Sequence, residues 1–484
     1  LGSQPQTFIK TAKIWKKFDP LRSTCYRPAT IQRASTHVQP LRPKTQLGRL
    51  TPLQWLICGI AAIGFAFDTY ELLILTLIVR PALLELLPAH SSEALLNRWI
   101  GLLFYVPAIA GGVFGLLGGY LIDLLGRRRI LLWSILLFGA CTFASAYVTS
   151  PTEFLVLRCG TFVGVSVEFV AATAWLAELF TEREQRESVI GYTQGFSSTG
   201  GLLSAAIYYL AVTWSQRLPA IHGGHEAWRY AALSGLLPAI PLILVRPLLP
   251  ESPIWKKKKM EGTLKRPSIL ELFRPEFRRT ALITCLMMAC SYAASFGMLQ
   301  HFARIIPGTP SVRVLAHQAQ EQRISVLQAL QEWGGLAGRV VMAFLAVRVM
   351  SRRKLLRLFQ VPGLILAPMV MFLPATRDSD MFPGGIFLLG FLTVAQFTFW
   401  GNYLPLVFPT YLRGTGESFA ANIGGRMLGT SAALLVTSMV AFMPGGSPTR
   451  HLAYAAGIVG TLAYLIGFIA SFWLPEPSLE ATPD

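Results

Sequence analysis

The sequence predicts an all-α membrane protein: twelve transmembrane helices in two pseudo-symmetric six-helix bundles, with both termini cytoplasmic. Three observations predict it. The first is composition: 53% of the 484 residues are hydrophobic, 14% are charged, and the mean hydropathy is +0.49. Ordinary soluble domains carry about a quarter charged residues, so this composition argues against a large soluble enzyme, and against a disordered chain. The second is the recurrence of apolar segments near the ~20 residues that cross a bilayer as a helix. The third is the placement of basic side chains, which decides what the net charge of +18 means. Taken alone, that charge would also fit a nucleic-acid partner.

Segments of spanning length fall at 53–78, 99–122, 130–149, 153–177, 188–213, 228–249, 280–301, 325–347, 355–374, 384–408, 418–443 and 452–474. The eighth is the least apolar, because it carries Gln328, Gln331, Glu332 and Arg339. It is retained because Arg352, Arg353 and Lys354 must share a side with the other basic loops. With the N-terminus inside, thirty of the 43 Lys and Arg residues then lie on one face. They are the ten before residue 50, Arg127, Arg128 and Arg129, Arg183 and Arg186, nine at 256–279, five at 348–357, and Arg413. This is the positive-inside bias of membrane proteins, and the nucleic-acid reading falls away.

The organisation that follows is a basic, mostly disordered cytoplasmic tail at 1–50 and a first six-helix bundle at 51–249. A cytoplasmic middle loop at 250–279 leads to a second bundle at 280–474 and a short cytoplasmic tail at 475–484. Weak internal repeats support the division. Leu249-Pro250-Glu251 returns 225 residues later as Leu474-Pro475-Glu476, and the same offset lays Arg127 and Arg128 on Arg352 and Arg353. Glycines at four-residue spacing, Gly111, Gly115 and Gly119 on the second span and Gly191 and Gly195 on the fifth, mark close helix packing.

No enzyme chemistry competes. The six cysteines show no CxxC or metal spacing, His222 and His225 lie in an outer loop without a third ligand, and no GxxxxGK[ST] phosphate loop occurs. Neither a metal nor a cofactor is implied.

The run GYLIDLLGRRR, from Gly119 to Arg129, resembles the GxxxDxxGRR loop motif of the major facilitator superfamily and falls between the second and third spans. Arg158 with Glu168 ten residues on resembles the fourth-helix pattern of its organic-acid and sugar branches. ELFTEREQR, Glu178 to Arg186, and FPTYLRGTG, Phe408 to Gly416, resemble its four-to-five and ten-to-eleven loops. PESPIW, Pro250 to Trp255, resembles the sugar porters' PESPRW with Ile254 in place of Arg. The resemblance covers roughly 51–480. It implies alternating access between two halves, a small-molecule substrate, and a multi-pass location in a bacterial inner membrane or plasma membrane. It also implies an inner-side charge network of Asp123, Arg127, Glu178 and Arg186, with Gly119, Gly126, Arg128 and Arg413 in the same gating motifs. The second half departs from the pattern, with Arg348 where Asp123 stands and Ser351 in place of Gly126.

Charges inside membrane spans are costly, so each is a functional candidate. Asp68 and Glu71 lie nearly one turn apart on the first span, facing one side. Counted along the helices, Arg158 of the fourth span is closest in depth to Glu71, while Glu168 and Asp68 lie nearer the midplane. Acids held only to neutralise Arg158 are the plainer reading; acids that carry protons or bind substrate are the sharper one. Arg426 on the eleventh span sits near the matching arginine of organic-acid transporters, although the spacing from Asn422 is one residue longer than usual there. Arg158 and Arg426 are candidates to grip a carboxylate. Gln194, Gln396, Trp400 and Asn402 are candidate polar or stacking contacts.

Gln194 fits the sugar porters' fifth helix, but the seventh span lacks their QQxSGxN run, and DTYE from Asp68 to Glu71 is closer to the acidic first-helix pattern of proton-coupled organic-acid transporters. The expectation is therefore a secondary transporter, a proton symporter of a small organic anion acting as a monomer in the bilayer. A sugar or neutral-solute carrier and a proton-driven drug exporter are the alternatives.

Overall fold

The computed structural model describes residues 50–477, apart from 181–184, 186–188, 191, 194, 238–239, 242–248, 263–267, 350, 374, 376–379, 410–411 and 445. The basic segment 1–49 lies outside the described residues. Among the described residues the architecture is helical, and nine helices are long and apolar enough to cross a membrane.

In chain order the first helices are α1 Pro52–Leu86, α2 Glu93–Leu125, α3 Arg127–Ser145 and α4 Pro151–Leu179. They begin where local chemistry says they should. Thr51, Ser92 and Ser150 each turn a hydroxyl onto the first free N–H groups, and Thr51 with Gln54 and Ser150 with Glu153 close reciprocal capping boxes. Two more described helices follow, α5 Ser197–Trp214 and α6 Ala227–Leu233. They are the described parts of the fifth and sixth expected spans. The short basic helix α7, Pro253–Met260, opens the middle loop.

The later helices are α8 Arg278–Phe296, α9 His317–Arg348, α10 Arg352–Phe372 and α11 Phe382–Val407. Beyond α8, short turns of helix continue the same apolar stretch to Gly308. α9 is 32 residues long, yet its polar residues keep it outside the nine apolar helices. The eleventh expected span is not one uniform helix. α12 Arg413–Ser418 runs into an 11-residue π-helical segment, Phe419–Gly429, and then α13 Ala432–Met439. The wide winding is visible in the bond from Thr430 N–H to the Gly425 carbonyl, five residues back. α14, Pro448–Ala470, closes the bundle.

Two seams join the earlier and later helices: α2 packs along the π segment and α13, and α5 packs along α9. The glycine stripe of α2 divides between two neighbours. A Cβ at Gly111 would meet the Phe162 carbonyl of α4 at 3.1 Å, whereas one at Gly115 would meet Asn422 of the π segment at 2.8 Å. Gly195 has no neighbour within 4 Å of a Cβ, so it makes no close helix contact, and Gly191 lies outside the described residues.

Candidate functional site

Two buried ion pairs centre on α1, one with α4 and one with the π segment. In the first, Arg158 of α4 lies 3.7 Å from Glu71 of α1 and donates to the Glu71 backbone carbonyl. Thr142 of α3 donates to the same carboxylate at 2.7 Å, so three helices meet at one acid. Glu71 is wholly buried and Arg158 nearly so.

The second group crosses from the first helices to the last. Arg426 Nη2 donates to both carboxylate oxygens of Asp68, at 3.0 and 2.9 Å. Its Nη1 donates to the Val165 carbonyl of α4 at 3.2 Å and to Asn422 Oδ1 at 3.4 Å. The guanidinium stands 5.2 Å from the centre of the Phe169 ring. One side chain thus ties α1, α4 and the π segment together. Its direction follows from the local winding. Asn422 and Arg426 both lie in the π segment, whose wider turn differs from regular α winding.

Glu168 belongs to neither pair. Its carboxylate is fully buried and both oxygens lack a hydrogen-bond partner. It faces Gly64, one turn before Asp68, where a Cβ would come within 2.5 Å of Glu168 Oε1. A buried carboxylate without partners is expensive, so this acid is the unsatisfied member of the group. In α11, Trp400 donates to Ser291 of α8 at 2.9 Å, and Ser291 donates to Gln396 at 3.3 Å. Asn402 is exposed and bonds within its own helix to the Thr398 carbonyl, so it does not join them. Gln194 lies outside the described residues.

At the basic end, Arg127 donates to Glu178 at 2.9 Å and to the Ile122 carbonyl at 3.2 Å. Gly126 begins α3 with a φ of +99°, which favours glycine, and a Cβ there would meet Glu251 Oε2 at 2.6 Å. That Glu251 accepts the backbone N–H groups of Arg128 and Ser252, at 3.1 and 3.0 Å, so a carboxylate caps the start of α3. The repeated sequence builds the same device again. Glu476 accepts the N–H groups of Arg352 and Arg353, at 2.9 and 3.0 Å, and the Ser351 hydroxyl at 2.7 Å, at the start of α10. The supports match as well: Trp175 donates to the Pro250 carbonyl at 3.1 Å, and Tyr403 to the Pro475 carbonyl at 2.7 Å. The capping role was readable from the repeat, because each Glu falls 123 to 124 residues after the arginines it caps. Gly119 lies within α2. Arg186 and the side chains of Asp123 and Arg413 lie outside the described residues.

Ionisable side chains buried between the helices of a membrane bundle mark a functional site. The profile of the Major Facilitator Superfamily matches residues 56–426, and the chain belongs to that superfamily. It is 26% identical over 416 residues to a protein of Cupriavidus pinatubonensis described as a probable 4-methylmuconolactone transporter, covering 85% of this chain and 88% of the other. It is 23% identical to the cis,cis-muconate transport protein of Acinetobacter baylyi, covering 76% of this chain and 83% of the other. Among solved structures, a D-xylose-proton symporter superposes with a TM-score of 0.65 at 18% identity, over 88% of this chain and 98% of the other. The protein is a multi-pass membrane transporter, and the family is one of transporters, not enzymes.

Proposed function

We propose that this protein is a proton-coupled symporter of a small organic anion, working by alternating access of two six-helix halves, 51–249 and 280–474. In this reading twelve helices cross the membrane, both termini and the middle loop 250–279 face the cytoplasm, and the monomer is the working unit. The observation that carries the proposal is the Asp68–Arg426 pair beside the unpartnered Glu168. Arg426 is the cation best suited to a substrate carboxylate, and Asp68 already occupies it. A proton on Asp68 removes that competitor and frees the guanidinium for the substrate. Glu168, within the same group of helices, relays or stores the proton. Proton and anion therefore bind together or not at all, which is the condition for symport. Arg158 and Glu71 hold α1 and α4 in place around this centre. The similarity to transporters described as carrying muconate and 4-methylmuconolactone supports a carboxylate or lactone substrate.

In the same reading Asp123, Gly126, Arg127, Arg128, Glu178, Arg186 and Arg413 close the cytoplasmic side. Asp123→Asn lowers transport while leaving expression intact; undiminished transport by a well-folded variant removes the gate role. The central test is uptake of labelled cis,cis-muconate and related acids into proteoliposomes, with and without an imposed pH gradient. Uptake driven by an inward proton gradient, and lost in Asp68→Asn, is the expected result. Gradient-independent uptake that survives both Asp68→Asn and Glu168→Gln overturns the coupling. A ligand-stabilisation screen over organic acids, sugars and drugs identifies the substrate and would return sugars if the anion reading is wrong.

A further inference from the structure

We propose that Glu332, on the seam between α5 and α9, is a second proton-binding carboxylate, separate from the Asp68–Arg426–Glu168 centre. The inference deepens the symport reading and rests on it for its role in the cycle, though not for the existence of the site. Of the buried acids, Asp68 and Glu71 each face an arginine. Glu332 does not: it is 4% exposed and, among the described residues, forms no ion pair. Across the seam it meets Gly201, a position without a side chain, where a Cβ would overlap Glu332 Oε2. The neighbouring helix therefore offers it no donor there.

What surrounds the carboxylate is two glutamines of its own helix. Gln331 and Gln328 donate their amide N–H groups to Glu332 Oε1 at 2.9 and 3.2 Å. This leaves both amide oxygens, Gln328 Oε1 and Gln331 Oε1, buried without any donor. A carboxylate can only accept, so this arrangement has too many acceptors and too few protons. One added proton relieves part of that mismatch. Protonated on oxygen, Glu332 becomes a donor, and whichever glutamine amide turns over presents the oxygen to receive it. The same proton removes a charge that is costly in a membrane interior.

The charged and titratable groups around Glu332 are few. α9 itself supplies Arg339, the exposed Arg323 and Glu321, about two to three turns away, with His317 and Arg348 at its two ends. From α5 the tyrosines Tyr208 and Tyr209 are titratable, and that helix carries no charged residue. α11, on the other side, supplies only Tyr403. The short turn after α8 brings Arg304 against the far end of α9. Arg339 is engaged with Ser197 of α5 at 2.6 Å, and Glu321 with Tyr208 at 2.5 Å. These two links, with Gln322 to Thr213 at 3.1 Å, pin the seam on either side of Glu332. Rocking of one half against the other must break them, and that opening is what gives the buried acid access to water in one state only.

The test uses the full-length protein in lipid and the proton itself as probe. Infrared difference spectra between low and high pH, with deuterium exchange, report protonated buried carboxyl groups without any substrate. The wild type shows a carboxyl band that Glu332→Gln loses and Glu168→Gln retains. Glu332→Asp, which keeps the acid, shifts the band rather than removing it and covers the case in which the amide variant fails to fold. An unchanged carboxyl spectrum in a folded Glu332→Gln protein, or an unshifted one in Glu332→Asp, overturns the proposal. Loss of the Glu332 band alongside gradient-independent muconate uptake in the wild type leaves this site standing and removes the symport reading.

Discussion

The two halves of the chain agree at their basic loops and disagree inside the membrane. Glu251 and Glu476 lie 225 residues apart and cap two helices with nearly the same bonds, backed by Trp175 in one half and Tyr403 in the other. Among the buried charges the first half holds Asp68, Glu71, Arg158 and Glu168, while the second holds Arg426 and Glu332. The two sequences match where they build helix ends, which any such bundle needs, and differ where charge is buried. The Asp68–Arg426 pair is the clearest product: an acid from one half and a base from the other.

The largest effect is expected where the halves differ. Arg426→Leu leaves Asp68 buried without its cation, a loss of about 3–5 kcal/mol for a broken buried pair. Thermal unfolding should show a large fall, partly recovered in the Asp68→Asn/Arg426→Leu double variant; equal destabilisation in single and double variants would break the pairing. Next comes a place where the repeated loops part. Gly126→Ala places a Cβ at a positive φ and against Glu251, costing about 1–3 kcal/mol. The matching Ser351→Ala only removes a cap hydroxyl, about 1 kcal/mol. Comparable melting shifts would mean the two loops are less distinct than their geometry. Glu251→Gln and Glu476→Gln then sharpen the likeness: each weakens a helix-end interaction by about 0.5–2 kcal/mol, and the two shifts should match. Arg80→Ala, at a surface pair with Glu93, should change the melting temperature least, by the equivalent of about 0–1 kcal/mol.

Much of the architecture was legible in the sequence because a bilayer imposes length and apolarity on anything that crosses it. Composition alone marks α9 as the least apolar of the expected spans, because Gln328, Gln331 and Glu332 are buried against protein; hydropathy averages a helix and cannot see which side is covered. The Arg127–Glu178 contact follows from short loops joining neighbouring helices. Counting residues along each helix set Arg158 level with Glu71, and the two stand at 3.7 Å. The same count had no way to reach Arg426, because it assumes regular winding and compares depth, not direction around the axis. Only the unusual distance from Asn422 to Arg426 hinted that regular winding fails there. Glu168 and Glu332 were visible as acids, but having no ion-pair partner is a property of neighbours that sequence order does not give.

The π-helical stretch carries one more consequence. In a regular helix each residue advances the side-chain direction by about 100°, so one surplus residue re-aims everything that follows. Arg426 points at Asp68 because of how the backbone is coiled at Phe419–Gly429, not only because of where the helix stands. Moving the loosened turn a few residues along the chain would swing the guanidinium around the axis while both helix ends kept their places. The grip on Asp68 is thus governed by a local rewinding, a smaller displacement than the tilting of a whole bundle.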